Sequence, residues 1–362
     1  MDQTTVVKAL AKVIDPSSGQ DIITRSMVRD LEIEGNNVRF TIELPNLNAQ
    51  HKEELNFACI EAVQQAYPQA EVHVHLMGRT PESLQSNNPL AHVKNIIAVA
   101  SGKGGVGKST VSVNLALGLK KLGMNVGLVD ADLYGPSIPT MLGLQGQRPK
   151  IQTLYGQPKI QPLEAYGMPV MSIGFIIEPE QAVVLRGPRL AGIIKQFFND
   201  TIWPELDCLV VDLPPGTGDI QLSLVQTVPV TGVVLVTTPQ EVAIADAVKA
   251  MNMFLLPSVN VPILGVVENM AWFTPAELPN NKYYIFGQGG GKKMVQLSES
   301  MLLGQVPIVM SIRESGDAGK PAILGQEESA KQAFAKVAEN TLRQLAIRNE
   351  MLEPTKMVGL QS

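Results

Sequence analysis

Cysteine is almost missing from this chain. Only Cys59 and Cys208 occur in 362 residues, far apart and in no metal-ligand spacing, so no cysteine-based metal motif is written in the sequence. Long apolar runs are missing too. The longest are short stretches such as VVLV at 233–236, well under the roughly 20 residues that a membrane span needs. The first residues, MDQTTVVKALAKV, lack the long apolar core of a signal peptide, and a cytoplasmic protein with no membrane partner is expected. Charge is sparse at 17%, with a formal net charge of −5. An acidic surface is a poor general polyanion binder, which argues against nucleic acid as the main partner. No internal repeat and no low-complexity segment is visible.

What the chain does have is apolar residues, 45% of the total, enough for a large core. Its length suggests two domains. Residues 1–78 read as a small α+β domain. VVKALAKVI is helical in pattern, and VRDLEIEG and VRFTIEL flank GNN as a hairpin. Leu55, Cys59, Ala62, Val63 and Ala66 recur at helical spacing, and VHVHL closes the unit as a strand. Residues 79–92, polar and carrying Pro81 and Pro89, read as a linker. From residue 93 to 348, short β-branched runs alternate with helical segments: NIIAVA, NVGLVD, MPVMSI, CLVVDL, GVVLVTT and ILGVVEN. This pattern predicts a doubly wound, mostly parallel sheet covered by helices. A last helix is expected over 330–347, and a tail over 349–362.

The strand IIAVA runs into GKGGVGKS at 102–109, a phosphate loop followed by a helix. Glycines let backbone N–H groups curl around a polyphosphate, and the helix adds the positive end of its dipole. Candidate contacts to ATP are Gly102, Lys103, Gly104, Gly105, Val106, Gly107, Lys108, Ser109 and Thr110. Lys108 is placed to reach the β and γ phosphates, and Ser109 to ligate Mg²⁺. Lys103 is a second lysine in the same loop. It is either a solvated loop residue or a second phosphate ligand, aimed across a symmetric interface because one loop cannot easily point both lysines at one phosphate. Two further strands end in carboxylates, Asp130 and Asp132 in VGLVDADLYGPS and Asp212 in CLVVDLPPGTGD, where ligands meet an open α/β sheet. Asp212 suits Mg²⁺. Asp130 reads equally well as a structural residue.

GKGGVGKS resembles the deviant Walker A loop of the MinD/ParA/nitrogenase-iron-protein class. The resemblance implies that Lys103 contacts nucleotide in the opposite subunit of a homodimer. It implies that Asp132 positions the attacking water, that Asp212 lies in a second switch with Gly216, and that Asn269 in VVENM reads adenine. DADLYGPSIPTMLG, LRGPR, DLPPGTGD and ENM followed by YYIFGQGGG together resemble the Mrp/ApbC branch of iron–sulfur cluster carrier ATPases over residues 93–345, and the N-terminal unit resembles the small iron–sulfur assembly domain found in front of many of them. The expected function is an ATP hydrolase that binds clusters and transfers them to apoproteins. That family holds its cluster with a C-x-x-C pair between the ENM and IFG motifs. Here the stretch reads ENMAWFTPAELPNNKYYIFG, without cysteine, and the N-terminal loop LPNLNAQHKEEL also has none. Cys59 and Cys208 read as core residues, and His73 and His75 either as a solvated strand face or as metal ligands. Trp272 and Phe273 are either a protein contact or packing. A cluster-independent ATP-driven dimerisation switch acting on a protein client is therefore kept beside the carrier reading. A DNA- or membrane-positioning ATPase is disfavoured, because RNEMLEPTKMVGLQS is short, contains Pro354 and lacks a basic face.

Overall fold

The computed structural model describes residues 2–14, 21–23, 27–44, 52–78, 90, 92–133, 135–154, 157–176, 187–218, 221–222, 224–225, 228–275 and 277–353. The chain divides into two compact units, 1–88 and 89–362. Most of the stretch read as a linker lies outside the described residues.

In the first unit, helix α1 (Gln3–Leu10) is capped by Asp2, whose carboxylate accepts from the Thr5 amide at 3.1 Å. Strands β1 (Val28–Glu34) and β2 (Asn37–Leu44) form the expected antiparallel hairpin. Helix α2 (Lys52–Ala66) then crosses over to β3 (Glu71–Gly78), which pairs parallel with β2. Alternation sorts the faces of β2. Val38, Phe40 and Ile42 turn inward and are buried, while Arg39 is exposed. Cys59 is fully buried among Val6, Leu10, Phe40 and Val63.

The second unit is built on an eight-stranded sheet. In chain order its strands are β4 (Ile96–Ala100), β5 (Val126–Asp130), β8 (Leu163–Ala165), β9 (Met168–Ser172), β10 (Cys208–Asp212), β11 (Gly232–Thr237), β12 (Ile263–Glu268) and β13 (Leu302–Gln305). Their spatial order is β13-β12-β11-β4-β10-β5-β9-β8. All neighbours are parallel except β8, an antiparallel edge on β9. A separate two-stranded ribbon, β6 (Lys150–Leu154) with β7 (Gln157–Gln161), was not visible in the apolar pattern, because its residues are polar and mostly exposed.

Every residue of β4, β5 and β10 is buried, as continuous apolar runs require when helices cover both faces. Helix α3 (Lys108–Lys121) follows the phosphate loop and packs Val111, Leu115 and Leu119 into the core. Further helices among the described residues are α4 (Ile138–Met141), α5 (Gly187–Asp200), α6 (Glu241–Leu255), α7 (Gly290–Ser298), α8 (Met310–Asp317) and α9 (Glu328–Met351). The last helix starts two residues earlier and ends four later than its apolar spacing indicated. Phe334, Val337, Ala338 and Leu345 on α9 join the α3 core, and Asn340 Nδ2 donates to the Leu303 carbonyl at 2.8 Å. Truncating a fully buried ring such as Phe334 costs roughly 3–5 kcal/mol.

Candidate functional site

The loop from Ser101 to Gly107 leaves the carboxyl end of β4, beside those of β10 and β11. Ligands bind open α/β sheets at such ends. Two glycines are dictated by geometry. A Cβ on Gly102 would lie 2.0 Å from the Asp246 main-chain carbon of α6, so the helix backbone itself lies against the loop. Gly107 has φ +80°, and a Cβ there would lie 2.2 Å from Asn269 Nδ2. The loop is braced from both sides. Ser101 Oγ donates to the Lys103 carbonyl at 3.0 Å, and the Gly216 amide donates to the Ser101 carbonyl at 2.9 Å.

Lys108, the first residue of α3, is 6% exposed. Its Nζ lies 2.8 Å from Asp212 Oδ2 and 3.5 Å from Asp132 Oδ2. Asp212 is fully buried and accepts two hydroxyl hydrogen bonds of 2.6 Å, from Ser109 to Oδ2 and from Ser112 to Oδ1. Ser112 escaped the sequence reading, although it sits one turn after Lys108 on the same helix face. Asp130 stands beside Asp212 in register. Burial, and then the Asp212 charge, push the Asp130 carboxyl well above the usual carboxylate range; a hydrogen bond from Ser172, the Lys108 charge and the Asp132 amide oppose the rise.

Lys103, Gly104, Gly105, Gly107, Lys108, Ser109, Thr110 and Asp132 line one pocket of about 250 Å³. The size suits phosphates, and backbone amides and lysines surround it. Gly107, Thr110, Ser137 and Met141 also belong to an adjoining cleft of about 530 Å³, which has an apolar wall of Pro307, Ile308, Val309 and Ile312. Asn269 opens onto this cleft, and its Nδ2 donates to the Val106 carbonyl at 2.8 Å, so it also braces the loop. Val106 itself is buried in the core. One end of the combined space is polar and the other apolar, as a nucleotide requires. Lys103 makes no ion pair among the described residues.

The stretch between the ENM and IFG motifs is folded onto the domain. Phe273 and Tyr283 exchange two backbone hydrogen bonds of 2.8 Å, and Phe273 also bridges to Ile308. Lys282 Nζ lies 3.9 Å over the Trp272 ring. Trp272 and Phe273 are thus half-buried packing residues, while Leu278, Tyr283, Tyr284 and Ile285 are exposed. Glu268, buried at the end of β12, accepts from the Gly291 amide at 2.5 Å and from Gln305 Nε2 at 3.1 Å, which pins the glycine-rich segment at the start of α7.

The P-loop pocket decides the class, and comparison with known sequences decides the family. A model of the NUBPL iron-transfer P-loop NTPases matches residues 92–342, and a model of iron–sulfur cluster assembly proteins matches residues 3–75. The chain belongs to the NUBPL-type iron-transfer P-loop NTPase family. The chain is 45% identical to a protein of Synechocystis sp. named "Iron-sulfur cluster carrier protein", with 90% of this chain and 92% of that one covered. Among solved structures, a nucleotide-binding protein from Archaeoglobus fulgidus in complex with ADP matches at 35% identity with a TM-score of 0.56, covering 67% of this chain and 92% of that one. The septum site-determining protein MinD of Pyrococcus horikoshii, complexed with Mg-ADP, matches at 22% identity with a TM-score of 0.50, over 71% of this chain and 99% of that one. That likeness shows the shared fold. P-loop NTPases of this family are nucleotide hydrolases.

Neither cysteine of this member is placed to hold a cluster. Cys59 and Cys208 are fully buried in the cores of different units, and burial pushes both thiols up to about 12. His73 and His75 are exposed on β3, opposite Arg39 and Thr41. Among the described residues no group of three or more His, Cys, Asp or Glu is placed to hold a metal ion, and no helix is long and apolar enough to cross a membrane.

Proposed function

We propose that this chain is a Mg²⁺-dependent ATP hydrolase that acts, as a cytoplasmic homodimer, in carrying iron–sulfur clusters to apoproteins. The observation that carries the hydrolase half is the grouping of Lys108, Ser109, Asp132 and Asp212 around one pocket. Ser109 Oγ and Asp212 Oδ2, hard oxygen donors 2.6 Å apart, suit Mg²⁺, with Asp212 acting through water. An ion held by these residues would supply charge neutralisation for the phosphates. Lys108 leaves Asp212 to meet those phosphates. Asp132 orients the water whose oxygen bonds to the γ phosphorus as the bond to the β-phosphate oxygen breaks. Lys103, free of ion pairs among the described residues, reaches the partner's nucleotide, and this makes turnover depend on dimerisation. The amides of Gly102, Gly104, Gly105, Val106 and Gly107 and the Thr110 side chain complete the nucleotide contacts, with Asn269 at the base.

The cluster is cargo in this reading. The names of the relatives and the match of both units to iron-handling families support it. With both thiols buried, the ligands for the cargo come in part from a client or assembly partner. The same burial favours a second reading, an ATP-driven dimerisation switch that engages a protein client without any cluster. In that reading the exposed Leu278, Tyr283, Tyr284 and Ile285 supply the contact.

Two measurements test these readings. Anaerobic reconstitution with iron and sulfide, followed by iron and acid-labile sulfide counts per dimer, is run on the wild type, Cys59→Ser and Cys208→Ser. Stoichiometric cluster supports the carrier; loss of cluster in one variant names a ligand. No cluster beside full ATP turnover leaves the switch. In parallel, Lys103→Ala is expected to abolish or sharply reduce turnover, and normal turnover in that variant sinks the cross-subunit role.

A further inference from the structure

Asp130 does more than close a strand. Its carboxylate is fully buried and is met by three donors: the Asp132 amide at 3.1 Å on Oδ1, and the Ile138 amide at 3.3 Å and Ser172 Oγ at 2.9 Å on Oδ2. The two amides belong to Asp132 and Ile138, six residues apart in the chain. Ser172, on the neighbouring strand β9, is itself fully buried and accepts from the Gly174 amide at 3.0 Å. A single side chain therefore fixes both ends of this segment and ties them to the sheet.

What the segment carries matters. At its start stands Asp132, 3.5 Å from Lys108. At its end stand Ser137 and helix α4, and Ser137 and Met141 line both the phosphate pocket and the apolar cleft. Asp130 touches neither the pocket nor any atom that would react. We propose that Asp130 is a positioning residue for hydrolysis, one carboxylate that holds Asp132 and the Ser137–Met141 wall in register with the phosphate loop. The inference rests on the hydrolase reading above.

The chemistry requires a carboxyl group. The Asp132 amide meets one of its oxygens and the Ile138 amide and Ser172 hydroxyl meet the other, and a carboxyl group offers an acceptor oxygen on both sides. Asn is the same size but offers one acceptor oxygen, and its NH₂ must face a donor on the other side. The segment then shifts while the core keeps its volume. Displacing a positioned group by about 1 Å costs up to roughly 100-fold in rate.

The test is single-turnover ATP hydrolysis at saturating nucleotide and Mg²⁺ in Asp130→Asn, with nucleotide dissociation constant, Mg²⁺ requirement and Tm measured on the same preparation. Lys108→Ala serves as the control. The expected result is a rate reduced roughly 10- to 100-fold, with nucleotide affinity and Mg²⁺ requirement close to wild type. Ser172→Ala, which leaves both amides on the carboxylate, is expected to lose less, in the same direction. It decides the matter if Asp130→Asn does not fold, and an unchanged rate in it then overturns the proposal. An unchanged rate in Asp130→Asn overturns it, as does a rate loss that only tracks lost binding or unfolding. A raised Mg²⁺ requirement makes Asp130 a metal contact and overturns it too. Turnover that persists in Lys108→Ala removes the hydrolase reading itself, whereas an inactive Lys108→Ala beside a normal Asp130→Asn removes only this inference.

Discussion

Replacing Lys108 with Ala should destabilise the nucleotide-free protein as well as stop catalysis. Lys108 and Asp212 form an ion pair of 2.8 Å, with side-chain exposures of 6% and 0%. Removing one partner of a buried pair leaves an uncompensated charge and costs about 3–5 kcal/mol. The pocket over the pair admits water, so the lower end applies, about 3 kcal/mol, or roughly 6–12 °C in Tm for a domain of this size. The charge left behind is the Asp212 carboxylate, and Asn in its place removes that charge. The double variant Lys108→Ala/Asp212→Asn should therefore recover a large part of the loss, with a coupling of about 2 kcal/mol. The assay is thermal and urea unfolding of wild type, both single variants and the double variant without nucleotide. A second series with excess Mg-ATP should raise the Tm of the wild type and leave Lys108→Ala unmoved. A Lys108→Ala Tm equal to wild type, or strictly additive losses in the double variant, would refute the reasoning, because the pair would then be screened by solvent.

Two further outcomes follow from particular contacts. Gly102→Ala places a methyl group against the main chain of Asp246, which cannot rotate away, so it should cost roughly 1–3 kcal/mol and weaken nucleotide binding by displacing the loop; binding at wild-type affinity would show that α6 yields freely. Thiol titration should find no reactive cysteine in the native protein at pH 8 and both in denaturant. Both thiols rise from 9.0 to about 12 on folding, so above pH 9 the unfolded chain loses protons that the native one keeps, and their contribution to stability falls as pH rises from 9 toward 12; rapid labelling of either cysteine in the folded state would contradict the burial.

Much of this was legible in one dimension. Continuous apolar strands can only be buried on both faces, so IIAVA, CLVVD and GVVLV announced a parallel sheet before any coordinates. The phosphate loop was legible because its glycines and lysine must be adjacent in sequence to work. The polar ribbon β6–β7 was not, because exposed polar strands carry no burial signal. Ser109 and Asp212 were each legible, but Ser112 and the pairing of the three were not. Asp212 lies 103 residues from Ser109 and 100 from Ser112, yet it accepts a hydrogen bond of 2.6 Å from each because β4 and β10 are neighbours in the sheet.

By itself the sequence determined the fold class, the phosphate loop and the scarcity of cysteine, with Cys59 and Cys208 in no metal-ligand spacing. These are local facts of composition and spacing. Only the tertiary structure decided that both remaining cysteines are sealed in separate cores, that Lys108 rests on Asp212, and that Asp130 fastens both ends of the segment bearing Asp132. Burial and hydrogen-bond convergence depend on which strands become neighbours, and that order is set by packing the whole sheet.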